Sequence, residues 1–341
     1  MNAARAAVFG LAIAIVGACS LPAQAAVRTY FIAADEVLWD YAPGGQDLIS
    51  GRPLPSLPPS ALGRRYRKVI YRAYTDASFT RLEPRSSSQA YQGLLGPTLH
   101  AVVGDTIEVR FKNNSPLAAG MAMAGLDSPG GPVAPGAART YRWHIPASSG
   151  PGANDASSVA WRYYSPVDEN RDENTGMIGA VIVTKRGFAK ADGSPSDVDR
   201  EVPVLFTMME ESQSRLIDAN LADPSLNPRH VVRTSPNFFA DNVFFSIDGY
   251  TYGTMPMVTV REGERTRWYI IVTRSGFDAH APHWHGQTLL QNGMRTDAFQ
   301  VQIDEIAVAD MVPDNPGIWL FHCHVHSHLM AGMEARYKVV P

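Results

Sequence analysis

The sequence predicts an all-β chain folded as two sandwich domains, and three observations carry that expectation. Short stretches such as Thr106-Ile-Glu-Val-Arg-Phe111 and Arg267-Trp-Tyr-Ile-Ile-Val272 are rich in β-branched and aromatic residues, and Gly, Pro, Asn and Asp clusters bound them. Among 341 residues, 28 Gly and 25 Pro are spread along the chain, which favours many turns over long helices. The third observation is a weak internal repeat. Leu95-Gly96-Pro97 with Val103-Gly104-Asp105 lies over Tyr252-Gly253-Thr254 with Glu262-Gly263-Glu264, an offset of about 160 residues that marks a duplicated domain and not a solenoid.

Each element follows from these. The two halves end alike, Thr175-Gly176-Met177 before Val181-Ile-Val183 matching Ala331-Gly332-Met333 before Tyr337-Lys-Val-Val340. Domain 1 is therefore expected over 27–186, a polar linker over 187–200, and domain 2 over 201–341. A short helical turn is expected near Glu210 to Leu221. With 45% hydrophobic and 18% charged residues the chain can bury sizeable cores, which excludes a disordered or coiled-coil protein. A net charge of -3, with Lys and Arg scattered, offers no basic field, so no nucleic-acid partner is expected.

Residues 1–25 have the form of an export signal peptide: Arg5 supplies the positive start, Ala6 to Ala18 the apolar run, and Ala23-Gln24-Ala25 a small-residue cleavage site. The run is too short for a transmembrane segment. Val16-Gly17-Ala18-Cys19 also matches a lipobox, so lipidation at Cys19 stands beside ordinary cleavage. A periplasmic or secreted location is expected either way. Cys19 and Cys323 are the two cysteines, so removal of the signal leaves one thiol and no internal disulfide. A lone thiol in an oxidising compartment is buried and inert, paired between chains, or held by a metal.

Seven of the ten histidines fall between positions 280 and 328, in the clusters His280-Ala-Pro-His283-Trp-His285 and His322-Cys323-His324-Val-His326-Ser-His328. In an extended strand alternate residues share a face, so His322 and His324 point one way and Cys323 the other. On the cysteine side, Cys323, His328, Met333 and a histidine of the first cluster, His280, form the His₂Cys set with a weak axial Met of blue (type 1) copper. On the other side His283, His285, His322 and His324 form an all-imidazole group suited to copper that meets an exogenous ligand. Cys323 is bonded through the chain to both His322 and His324, a short covalent electron path between the two groups. His326 is expected to lie exposed near the site, and His100, His144 and His230 are expected to be ordinary surface or core residues. Asp278, Asp297 and Asp304 lie in or near these segments and are expected to be solvated carboxylates.

These residues resemble the multicopper oxidases, chiefly the ceruloplasmin-like and small two-domain laccase branches, over nearly all of the mature chain. The most specific matches are His280-Ala-Pro-His-Trp-His-Gly286 and Asn315-Pro-Gly-Ile-Trp-Leu-Phe-His-Cys-His324 running into His328 and Met333. Domain 1 adds Leu95-Gly-Pro-Thr98, Val103-Gly-Asp105, Ser149-Gly-Pro-Gly152, and Trp161 through Gly179. The resemblance implies cupredoxin-like Greek-key sandwiches, a small-molecule or metal-ion reductant, dioxygen as acceptor, and a homotrimer in the small laccases. It makes His283 a type 2 ligand and His285, His322 and His324 type 3 ligands.

Those are half of the family's set. The other half comes from two His-x-His pairs in domain 1, and here the first falls at about Met121-Ala122-Met123 while the second reads Tyr163-Tyr164-Ser165-Pro166. Ser165 stands where Cys323 stands in domain 2. Four imidazoles cannot hold three coppers in the family geometry, so one or two further copper ions are expected beside the type 1 ion. Met121, Met123 and Tyr164 are the available substitute ligands, against the simpler reading that they are apolar filling. Three functions follow: a copper oxidase, a nitrite-reductase-like copper enzyme, and a non-catalytic blue-copper electron-transfer or copper-binding protein. The residues favour the first; type 1 copper in the second domain speaks against the nitrite-reductase pattern.

Overall fold

The structure is a computed structural model that describes residues 25–126, 131–274 and 276–341. The leader-like segment up to Gln24, with Cys19, lies outside the described residues.

The first sandwich is made of β1 (Val27–Asp40), β2 (Arg65–Ala73), β3 (Gly96–Val102), β4 (Thr106–Asn113), β5 (Ala122–Met123), β6 (Ala138–His144), β7 (Ser158–Tyr164) and β8 (Ile178–Thr184), with helix α1 (Glu169–Thr175) between the last two. They form the sheets β2-β1-β4-β6 and β3-β8-β7-β5. Between them pack Ile32, Tyr71, Leu99, Val109, Phe111, Tyr141, Trp143, Tyr163 and Val181. Burying such side chains is worth about 1.5–3 kcal/mol each, which stabilises the sandwich against the chain entropy that folding removes.

The second sandwich contains β9 (Arg200–Glu210), α2 (Ile217–Ala222), α3 (Phe238–Asp241), β10 (Val243–Ile247), β11 (Val258–Arg261), β12 (Thr266–Val272), β13 (Pro282–Trp284), β14 (Leu289–Gln291), β15 (Met294–Thr296), β16 (Ile306–Met311), β17 (Gly317–Cys323), α4 (His326–Met330) and β18 (Glu334–Val340). Its sheets run β10-β9-β12-β16-β14-β15 and β11-β18-β17-β13. β12 is buried at every residue because it lies between β9 and β16 with both faces covered, which explains its unbroken Thr-Arg-Trp-Tyr-Ile-Ile-Val run. The helical turn expected near Glu210 to Leu221 is present as a 3-10 turn over Glu211–Gln213 followed by α2 from Ile217, while Glu210 itself ends β9, paired with Val243.

The duplication appears in the connections. β1 runs parallel to β4 and β3 to β8, as β9 does to β12 and β11 to β18. Strand for strand, β1–β8 match β9–β13 followed by β16–β18. The β14–β15 hairpin is extra, turned by Asn292 and Gly293 at φ 49° and 79°, the Asn-Gly signature of a tight hairpin turn. A third apolar cluster joins the domains: Tyr41, Tyr66, Leu94, Leu95 and Ile178 of the first meet Leu205, Met209, Ile217 and Ile271 of the second. No helix among the described residues is long and apolar enough to cross a membrane.

Candidate metal centre

Both histidine clusters are carried by one antiparallel pair. β13 lies against β17 with Pro282 opposite Cys323 and His283 opposite His322. Alternation along β17 sends Cys323 into the sandwich core and His322 to the opposite face.

On the core side Cys323 Sγ lies 3.5 Å from His328 Nδ1 and 3.8 Å from His280 Nδ1, and all three residues are buried. His280 is fixed by reciprocal backbone bonds to Val301, and the ring of Phe245 packs 4.5 Å from that of His328. The Ala281 N–H donates to Sγ at 3.4 Å. Met333 is tied to both partners through its backbone: its N–H donates to the His328 carbonyl and its carbonyl accepts from the Cys323 N–H, each at 3.0 Å. Gly332 makes this turn at φ 91°, where a Cβ would meet the Tyr252 ring at 2.7 Å. Burial pushes His280 down to about 3, lowers His328, and raises the Cys323 thiol. Without metal the group is therefore neutral, two imidazoles offering lone pairs beside a thiol. Two imidazole nitrogens and a soft sulfur shut away from water are the donor set that copper uses.

On the other face His322 Nε2 lies 3.1 Å from both His283 Nδ1 and His285 Nε2. The tautomers follow from the remaining contacts. His322 Nδ1 lies 2.9 Å from the Cys323 carbonyl, so it carries the proton and leaves Nε2 bare. His283 turns Nε2 toward Asp297 at 3.5 Å, which leaves its Nδ1 lone pair facing inward. Bare nitrogens facing each other at this spacing repel unless a proton or cation lies between them. Roughly 3 Å is also the separation of two nitrogens bound at about 2 Å to one ion. Burial lowers His322 to about 4 and lowers His283. His324 is exposed at the rim, its ring 5.0 Å from that of His283, so three imidazoles converge and the fourth flanks them.

The surrounding groups were partly unforeseen. Asp278 lies 3.7 Å from His328 Nε2, whereas Asp304 is committed to Arg162 and Arg274. Tyr337 donates to the His285 carbonyl at 2.5 Å. Phe245 and Tyr337 reach the site from distant strands, and no local sequence signal marks either. His326 is exposed, and His100 pairs with Glu201 at 2.9 Å.

Backbone register assigns every equivalent position in domain 1. Ala119 bridges Val133 as His280 bridges Val301, and the Met177 N–H donates to the Asp172 carbonyl as Met333 does to His328. Domain 1 thus holds Ala119, Ser165, Asp172 and Met177 where domain 2 holds His280, Cys323, His328 and Met333. Ser165 Oγ donates to Asp172 at 2.6 Å, and Arg215 pairs with the same carboxylate at 2.7 Å, so a buried ion pair replaces the donor set. In the second group Ala122 pairs with Tyr164 as His283 pairs with His322. The missing imidazoles fall at Ala122, Ala124, Tyr164 and Pro166, one residue beyond the frame expected at Met121–Met123, because the β5–β7 pairing sets the register. Met121 and Met123 pack in the domain 1 core.

The paired sandwiches and these donor groups define a duplicated-domain protein of cupredoxin-like fold. Two family models, both described as multicopper oxidase, match residues 73–187 and 222–341. The chain is 35% identical to mouse (Mus musculus) hephaestin over 92% of its own length and 29% of hephaestin's. It is 33% identical to human (Homo sapiens) ceruloplasmin, over 92% of this chain and 31% of that protein. The chain thus spans about three tenths of these relatives. Among solved structures, a multicopper oxidase superposes with TM-score 0.59 at 17% identity, covering 92% of this chain and 89% of that one. A copper nitrite reductase from Nitrosomonas europaea gives 0.58 at 16% identity over 92% and 94%; at such identities the likeness concerns the fold. The chain belongs to the multicopper oxidase family.

Proposed function

We propose that the chain is an exported copper-dependent oxidoreductase in which His280, Cys323, His328 and Met333 hold type 1 copper and His283, His285, His322 and His324 hold one or two further copper ions. Copper so bound would supply one-electron chemistry, taking electrons from a small-molecule or metal-ion reductant on the His328 side and delivering them to dioxygen on the imidazole side. The observation that carries this reading is the placement of both groups back to back on β17, where Cys323 and His322 are chain neighbours and His322 Nδ1 also bonds the Cys323 carbonyl. Asp278 beside His328 favours a cationic reductant.

The residues do not fit a cluster sharing eight imidazoles. Ala122, Ala124, Tyr164 and Pro166 occupy the other half, and a second copy of the chain would bring the same four. That loss favours a second reading, a blue-copper electron carrier. Copper content separates them: two or three ions per chain support the oxidase, and one supports the carrier. Oxidised, copper-loaded protein should show an intense thiolate-to-copper band near ~600 nm. Absence of that band in fully loaded protein, or oxidase activity that survives Cys323→Ser, would overturn the assignment.

A further inference from the structure

A cavity of about 610 Å³ in domain 1 takes no part in the chemistry above. It lies at the mouth of the first sandwich, bounded by the start of β1, the end of β2, the start of β3 and the loop from Tyr74 to Gly93. Its volume is that of a small-molecule site.

Two arginines give the cavity its charge. Arg72 and Arg85 both line it, and Glu83 is the one acid among the lining residues. Arg85 donates to the Gly93 and Leu95 carbonyls at 3.0 and 2.5 Å, which leaves three of its five N–H groups for another acceptor. Asp248, the acid whose charge reaches it, forms no ion pair with it among the described residues. Arg72 stands 3.7 Å from Asp35, whose oxygens already accept from Tyr74 and Asn114. Positive charge in a concave site is therefore only loosely balanced, and guanidinium forks match carboxylates.

The duplicated fold indicates the shape of the occupant. In domain 2 the segment carrying Tyr91 contacts β9 and β11, and Tyr91 is buried in one apolar cluster with Val202, Ile247 and Val258 of β9, β10 and β11. This part of the fold thus accepts an aromatic ring between its sheets. The domain 1 mouth offers Tyr30, Ile70 and Leu82 as walls, and the Tyr30 hydroxyl is held by the His100 backbone on both sides.

We propose that the domain 1 cavity binds a small aromatic carboxylic acid, its ring lodged against Tyr30, Ile70 and Leu82 and its carboxylate held by Arg72 and Arg85. The probe is benzoate, with benzamide as its uncharged counterpart, titrated into the full chain by calorimetry with and without copper. One benzoate per chain should bind in both states, and benzamide at least about tenfold more weakly. Arg72→Gln should weaken benzoate about tenfold while leaving the melting temperature and the copper absorption unchanged. Arg85→Lys, which keeps the charge but loses the fork, should also weaken it. Equal binding of benzoate and benzamide would overturn the proposal, as would binding indifferent to Arg72→Gln or present only with copper. Failure of benzoate to bind, with sedimentation showing self-association instead, would assign the cavity to a neighbouring copy and overturn it too. Loss of the copper assignment would leave this proposal standing.

Discussion

At the scale of single residues, the two donor groups are shaped by what the second nitrogen of each ring touches. His322 Nδ1 is spent on the Cys323 carbonyl and His283 Nε2 on Asp297, so the inward nitrogens are left as lone pairs. Met333 has a different role. Its buried position is fixed by two backbone bonds, so its side chain can be exchanged without disturbing the turn. If Met333 serves the proposed copper as a weak donor, Met333→Leu in copper-loaded protein should keep the thiolate absorption and raise the reduction potential, because losing that donor destabilises the oxidised ion more than the reduced one. A redox titration that finds the potential unchanged or lowered would show that Met333 is not an axial donor.

At the scale of elements, β17 works because its alternation serves two faces, and the two domains are buttressed against each other where α1 meets the segment after β9. A buried ion pair anchors that buttress. Lys68 on β2 donates to Glu211 at 2.5 Å and to the Asn174 carbonyl at 2.6 Å, and Tyr41 donates to the same Glu211 oxygen at 2.5 Å. Both charged side chains are fully buried, and Glu211 Oε2 has no hydrogen-bond partner among the described residues. Lys68→Met should cost about 3–5 kcal/mol by leaving Glu211 buried without its cation. Lys68→Met with Glu211→Leu should recover most of that loss, because both desolvated charges are then gone. Urea denaturation of Lys68→Met, Glu211→Leu and the double variant measures the coupling directly.

At the scale of the whole molecule, the domains are held by the apolar cluster of Tyr41, Leu95, Leu205 and Ile271 and by a charged seam. In that seam Arg162 pairs with Glu169 at 2.9 Å, with Asp304 of domain 2 at 2.6 Å, and with Glu173, which also accepts from the Arg274 N–H at 3.0 Å. Burial pushes Glu173 up to about 7 despite the opposing charge of Arg162. Its folded pKa exceeds its unfolded value, so between about 4.5 and 7 the folded state holds a proton that the unfolded state has released. That contribution to stability is present at low pH and is lost as pH rises through this window, by up to about 3 kcal/mol. Glu173→Gln should flatten the pH dependence of unfolding between those values, and an unchanged profile would refute the assignment.

What the sequence determined by itself is local. Cys323, His328 and Met333 sit on one strand, helix and turn only a few residues apart, so spacing alone brings them together. The lack of histidine at Tyr164 and Pro166 is equally legible, since flanking Trp161 and Gly176 hold the frame. The all-β class follows from short β-branched runs between turn residues for the same reason. The tertiary structure decided what depends on pairing between distant segments. Register between β5 and β7 moved the other missing pair to Ala122 and Ala124. Packing of β10 brought Phe245 against His328, and the segment after β9 brought Arg215 onto Asp172. Strand register and sheet packing are set by the burial of whole faces, which no window of neighbouring residues contains.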